Sequence, residues 1–137
     1  MPETPSAASP FSYLILRVVP SVERGERLNV GVVLFCRQRG FLGVRVRLDE
    51  SRLAALGGGR TGDTARELAD HLAGLVRVVE GDADAGPIAA LPPSERFGWL
   101  AAPSSTIVQP SAVHTGLCED PAATLEELYA RLVAGPD

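Results

Sequence analysis

Apolar positions run almost unbroken from Leu28 to Cys36 (LNVGVVLFC). The run is too short for a self-supporting helix and rich in Val, so it predicts a strand over 28–36 buried on both faces. Gln38-Arg39-Gly40 follows as a turn, with Gly40 able to take positive φ. From Phe41 to Leu48 the pattern alternates, with Leu42, Val44, Val46 and Leu48 on one face and Phe41, Gly43, Arg45 and Arg47 on the other. That period of two predicts a strand with one solvated face, paired with the first as an antiparallel hairpin. Upstream, FSYLILRVV (11–19) predicts another strand, interrupted by Arg17 and ended by Pro20. A short apolar segment at 105–109, between Pro103 and Pro110, is a candidate fourth.

Past the hairpin the period changes. Asp49-Glu50-Ser51 sets acid at the positive end of a short helix over 49–56, stopped by Gly57-Gly58-Gly59. Thr64 and Glu67 have capping-box spacing, and Leu68, Leu72, Leu75, Val76 and Val79 make one apolar stripe, predicting a helix over 62–79. Residues 80–93 read as a linker-like loop. Ser94 caps a predicted helix over 94–101, and Asp120-Pro121 opens the last one, over 121–134, with Leu125, Leu128, Tyr129, Leu132 and Val133 inward. Strands first and helices after predict an α+β domain: an antiparallel sheet of three to four strands with the helices packed on one side. Residues 1–10 are expected to be a disordered tail and 11–134 a single domain.

Composition narrows the function. The chain has 137 residues, enough to bury roughly two-thirds of its unfolded surface without cross-links. Its net charge of −4 argues against sequence-independent nucleic-acid binding. All its positive side chains are Arg, for it has no Lys. The N-terminal residues lack the basic and apolar regions of a signal peptide, and no segment has the apolar length of a membrane span, so a cytoplasmic location with reduced thiols is expected.

Two blocks give a resemblance. One is Tyr13-Leu14-Ile15-Leu16-Arg17 with Val19-Pro20 and then Glu26-Arg27-Leu28-Asn29-Val30-Gly31-Val32-Val33-Leu34. The other is Arg96-Phe97-Gly98-Trp99-Leu100, Ser105-Thr106-Ile107-Val108-Gln109-Pro110, Val113-His114-Thr115-Gly116-Leu117 and the Asp120-Pro121 helix. In order and spacing, over about 11–133, they resemble the bacterial DUF3037 family of unknown function. The resemblance implies a small bacterial protein and, through family members encoded beside HipA-like serine/threonine kinases, a partner role. It maps family positions onto Glu26, Asn29 and Gly31, onto Arg96, Phe97, Trp99 and Leu100, and onto His114 and Gly116. It also leads one to expect a basic residue at Ser104, where this chain has none.

Each candidate site has a plain structural counterpart. Glu26 and Asn29, at the entry to the apolar strand, have the chemistry to position a water, a metal or a hydroxyl; equally, Asn29 satisfies backbone groups while Glu26 pairs with an Arg. Arg45 and Arg47, with Arg37 and Arg39 at the turn, form either a phosphate, RNA or acidic-protein surface or a solvated face guarding an edge. His114 is a candidate base, alone or for Cys118. A zinc site on His114 and Cys118 lacks two ligands. Cys36 reads as a small hydrophobe and His71 as a core-boundary residue. Gly57-Gly58-Gly59-Arg60-Thr61 lacks the Lys and spacing of a phosphate loop. Phe97 and Trp99 are core anchors or an exposed binding spot.

The expectation is a small non-catalytic interaction or regulatory protein. Its binding residues are Arg17, Arg45, Arg47, Arg96 and Trp99, its candidate partner is a HipA-like kinase, it takes no cofactor or metal, and a homodimer is open. The alternative is a hydrolase or nucleotide-processing enzyme using Glu26, Asn29, Arg96 and His114.

Overall fold

Strand β1, Ser9–Ser21, runs through the middle of an antiparallel sheet and has partners along both edges. A computed structural model describes residues 8–21, 26–57, 62–102 and 107–135; of these, 20, 21, 26, 56, 57 and 62–64 are described by their backbone. On one side of β1 lies β2, Glu26–Cys36, followed by β3, Phe41–Val46. The connecting 3-10 turn, Arg37–Arg39, closes on Gly40 at φ 61°, whose N–H donates to the Arg37 carbonyl. The left-handed backbone there suits a residue without Cβ.

Along the opposite edge of β1 two short strands lie end to end. β4, Val108–Pro110, pairs with Leu16 to Val18, and β5, His114–Cys118, pairs with Ser9 to Tyr13. Among the described residues the sheet has five strands, close to the three to four expected, with β5 as the addition. The strand expected at 105–109 is seated further on, ending at Pro110, and residues 105 and 106 lie outside the described residues. β1 begins at Ser9, before the predicted 11; residues 1–7 of the expected tail lie outside the described residues. Between β4 and β5, Ser111 fills the gap. Its N–H donates to the Ile15 carbonyl at 2.8 Å, and its Oγ accepts from the Ile15 N–H at 2.8 Å.

The β1–β2 register slips where Leu16 faces Gly31 but Arg17 faces Asn29, leaving Val30 as the extra residue of a bulge. Beside it Gly31 is closely overlaid. A Cβ there would lie 2.9 Å from Val46 Cγ1 and 3.2 Å from both Leu16 Cδ1 and the Arg45 carbonyl.

The helices are α1, Glu50–Gly57; α2, Gly62–Val79; α3, Pro93–Ala101; and α4, Pro121–Tyr129, which passes into a π turn, Ala130–Ala134. They cover both faces of the sheet, correcting the one-sided packing expected. Leu14, Leu16, Val18, Val30 and Val33 form one core with Leu53 of α1, Leu68, Leu72, Leu75 and Val79 of α2, and Phe97 and Leu100 of α3. Phe11, Val32, Leu34 and Cys36 form a second with Leu125 and Leu128 of α4 and with Val133. The reason lies in β2. Val33 and Phe35 point one way and Val32, Leu34 and Cys36 the other, so leaving either face bare would expose a row of apolar side chains.

Helix starts follow local chemistry. Asp49 Oδ1 accepts from the N–H groups of Ser51 and Arg52 at 3.0 and 3.1 Å. Asp120 caps α4 by accepting from the Ala123 N–H, with Pro121 in the first turn. At α3 the expected Ser94 cap is displaced: Pro92 is the N-cap, Pro93 opens the helix and no side chain caps it. Gly58-Gly59-Arg60-Thr61 lies outside the described residues, as does the side chain of Thr64 in the expected capping box.

Candidate functional site

The face of β3 that carries Arg45 is covered by α4. Arg45 Nη1 pairs with the Glu126 carboxylate, and its guanidinium carbon sits 4.3 Å from the centre of the Tyr129 ring. The Glu126 hydrogen bond is the main cause raising the Arg45 pKa above its ordinary value. The other hairpin arginines are dispersed. Arg37 lies over the Phe35 ring at 5.7 Å, and Arg39 Nε donates to Ser9 Oγ at 3.0 Å. Arg47 is exposed, and its N–H donates to the Val30 carbonyl at 2.8 Å. The four therefore form no single open arginine face.

Asn29 on β2 sends its side-chain Nδ2 to the Leu132 carbonyl at 3.0 Å, tying the π turn after α4 to the sheet. Glu26 opens β2 opposite Ser21; its side chain lies outside the described residues. Arg96 sits in α3, in the opposite layer from α4. Its Nη1 donates to the Ala89 carbonyl at 3.4 Å, and its Nε is buried without a partner. A Cβ at Gly81, where φ is 74°, would collide with the Arg96 guanidinium. Arg96 thus pins the segment between α2 and α3. His114 stands exposed on β5, its ring stacked on Tyr13 with centroids 5.1 Å apart. Asn29, Arg96 and His114 consequently do not converge on one pocket.

His114 and Cys118 are four residues apart on one strand, about 13 Å at the strand rise, so His114 is too distant to act as a base for Cys118. Cys118 is buried instead beside Cys36, from across β1, and both thiols are free. Burial first, then the nearby Cys36, pushes the Cys118 thiol up from its ordinary pKa. Cys36 Sγ donates to the Pro10 carbonyl at 3.5 Å. Sequence separation hides this pair; a strand at β5 with Cys118 inward is the signal that reveals it. No group of three or more His, Cys, Asp or Glu among the described residues is placed to hold a metal ion.

Phe97 and Trp99 divide. Phe97 is buried and stacks on Phe35 at 5.7 Å, while Trp99 is 43 % exposed. Two positions along a helix turn a side chain through roughly 200°, so the pair cannot share one buried face. His71 on α2 is exposed, and Ser104 lies outside the described residues. Around the rim of the sheet, Phe11, Ser12, Phe35, Arg37, Gln38 and Thr115 line much of a groove of about 350 Å³.

The edge of the sheet carries another feature. Only β1 pairs with β5 among the described residues, and β5 has no Arg, Lys, Asp or Glu. Leu117 is 71 % exposed and Val113, just before the strand, 44 %. Such an edge lacks the usual protection against further strand pairing.

With this geometry established, the sequence matches the family model described as "Protein of unknown function (DUF3037)" over residues 13–133. The chain belongs to that family. No curated protein and no solved structure matches it. No helix among the described residues is long and apolar enough to cross a membrane.

Proposed function

We propose that this chain is a small non-catalytic interaction or regulatory protein of the bacterial cytoplasm, and that it works by binding a protein partner. The partner implied by the family resemblance, a HipA-like serine/threonine kinase, is the one to test first. The supporting observation is the β5 edge, with Leu117 exposed, Val113 beside it and no charged side chain to block a neighbouring strand. An extended partner segment adding to that edge would gain main-chain hydrogen bonds, with Leu117 supplying apolar contact. The separation of Asn29, Arg96 and His114 gives the hydrolase or nucleotide-processing alternative no geometric support.

The test is co-expression of the tagged chain with the HipA-like kinase of the same bacterium, followed by purification and sizing. Co-elution in equal amounts, lost on Leu117→Lys with the melting temperature unchanged, is the expected result. Co-elution that survives Leu117→Lys would place the interface elsewhere. A homodimer dissolved by Leu117→Lys would assign the edge to self-pairing, and a monomer that takes no partner would overturn the interaction reading.

A further inference from the structure

Arg17 lies on the central strand, half-buried, with its Nε sealed from solvent and without a hydrogen-bond partner. Its cross-strand neighbours are Asn29 on β2 and Gln109 on β4. Arg27, exposed, is two residues before Asn29 on the same strand, which makes it the diagonal neighbour of Arg17. Such diagonal pairs are within reach of long side chains. Arg47, the residue that follows β3, lies next along the sheet, since its N–H bonds to the carbonyl of Val30, next to Asn29. The alternation that turns Arg45 toward α4 returns at Arg47. Among the described residues, none of these three guanidinium groups has an ion pair or a side-chain hydrogen bond.

Among the described residues, no carboxylate is paired with this cluster. Withdrawing a cation from water without a counter-charge is costly, and a second like charge nearby adds to the cost. Burial first, then the charge of Arg27, lowers the Arg17 pKa from its ordinary value. Arg45, by comparison, has Glu126, and Arg77 has Asp82. Asn29 cannot neutralise the cluster, and its amide nitrogen is committed to Leu132.

We propose that Arg17, Arg27 and Arg47 form a seat for a phosphate-type oxyanion, as the free ion or as the phosphate of a small phosphorylated metabolite. Guanidinium forks match the tetrahedral oxyanion through paired N–H donors, and the partly desolvated Arg17 is the strongest anchor. This site is separate from the β5 edge and stands or falls independently of the partner proposed there.

Titration of the full chain with sodium phosphate, pyrophosphate and ATP, at ionic strength held constant with sodium chloride, tests the seat. The melting temperature is expected to rise with the logarithm of ligand concentration, as mass action requires. Arg17→Met should abolish the rise, and in the absence of ligand it should melt no lower than wild type. Arg27→Gln and Arg47→Gln, at exposed positions, should each weaken binding roughly tenfold, and they keep the test valid if Arg17→Met fails to fold. Arg66→Gln on α2 is the control expected to keep the full response. A response to phosphate itself identifies the free ion, and one confined to ATP identifies a phosphorylated metabolite. No response to any of the three, an equal rise with acetate, or a rise retained in both Arg17→Met and Arg27→Gln would overturn the proposal.

Discussion

Asn29 donates its side-chain amide to the backbone carbonyl of Leu132, 103 residues further along the chain. The contact joins the start of the apolar strand to the turn that follows the last helix. It is the structural role open to Asn29 from sequence, with the acceptor on a distant element. Replacing Asn29 by Ala leaves the carbonyl without this donor in a half-buried setting, at a cost of about 1–2 kcal/mol. Urea unfolding checks this: the midpoint should fall with the slope unchanged.

Ser111 performs a similar service for the central strand, bonding both backbone groups of Ile15 where neither β4 nor β5 reaches. Ser111→Ala removes the acceptor for the Ile15 N–H and should destabilise by about 1–3 kcal/mol. Amide exchange gives a local readout: the Ile15 N–H should lose protection more than those of β2.

Glycine substitutions should divide by site. Gly31→Ala pushes a methyl group against Val46, Leu16 and the Arg45 carbonyl, and overpacking of this kind costs about 1–3 kcal/mol. Gly98→Ala in α3 meets nothing within 4 Å and should stabilise by about 0.5–1 kcal/mol through helix propensity. Thermal melts of the two variants should move in opposite directions.

The Cys118 thiol gives a pH dependence of definite sign. Burial raises its pKa in the folded chain, whereas the unfolded chain titrates near the ordinary value of about 8.5. The resulting stabilisation is fully present below the unfolded pKa and is lost as pH rises through the folded one. Melting temperature measured from pH 7 to pH 10 should therefore fall more steeply for wild type than for Cys118→Ala.

Legibility varied with how far each pattern depends on its own element. The stripe Leu68, Leu72, Leu75 and Val79 places α2 at 62–79, as found, because a helix face is written locally. The double burial of β2 is equally visible in its apolar run, yet the order of elements points to helices on one side only, and that α4 covers the second face is visible only in the structure. β5 escaped because its signals are inverted. Gly116 packs its open side against the Phe11 ring while Leu117 points to solvent, so the apolar residue is the outward one. The arginines escaped for another reason: Arg45 depends on Glu126 and Tyr129, residues contributed by a distant helix.

Ser111 and Ile15 are 96 residues apart, and among the described residues the partners on that edge of β1 all come from residue 107 onward. During synthesis the central strand emerges well before β4 and β5 and remains half-paired until they have followed. Closing so long a separation delays the final assembly. Until β4 and β5 arrive, one edge of β1 is open to any extended chain nearby. The nascent protein thus passes through a stage at which truncation or stalled translation before β5 leaves a sticky strand exposed, and its yield should depend on synthesis continuing through β4 and β5.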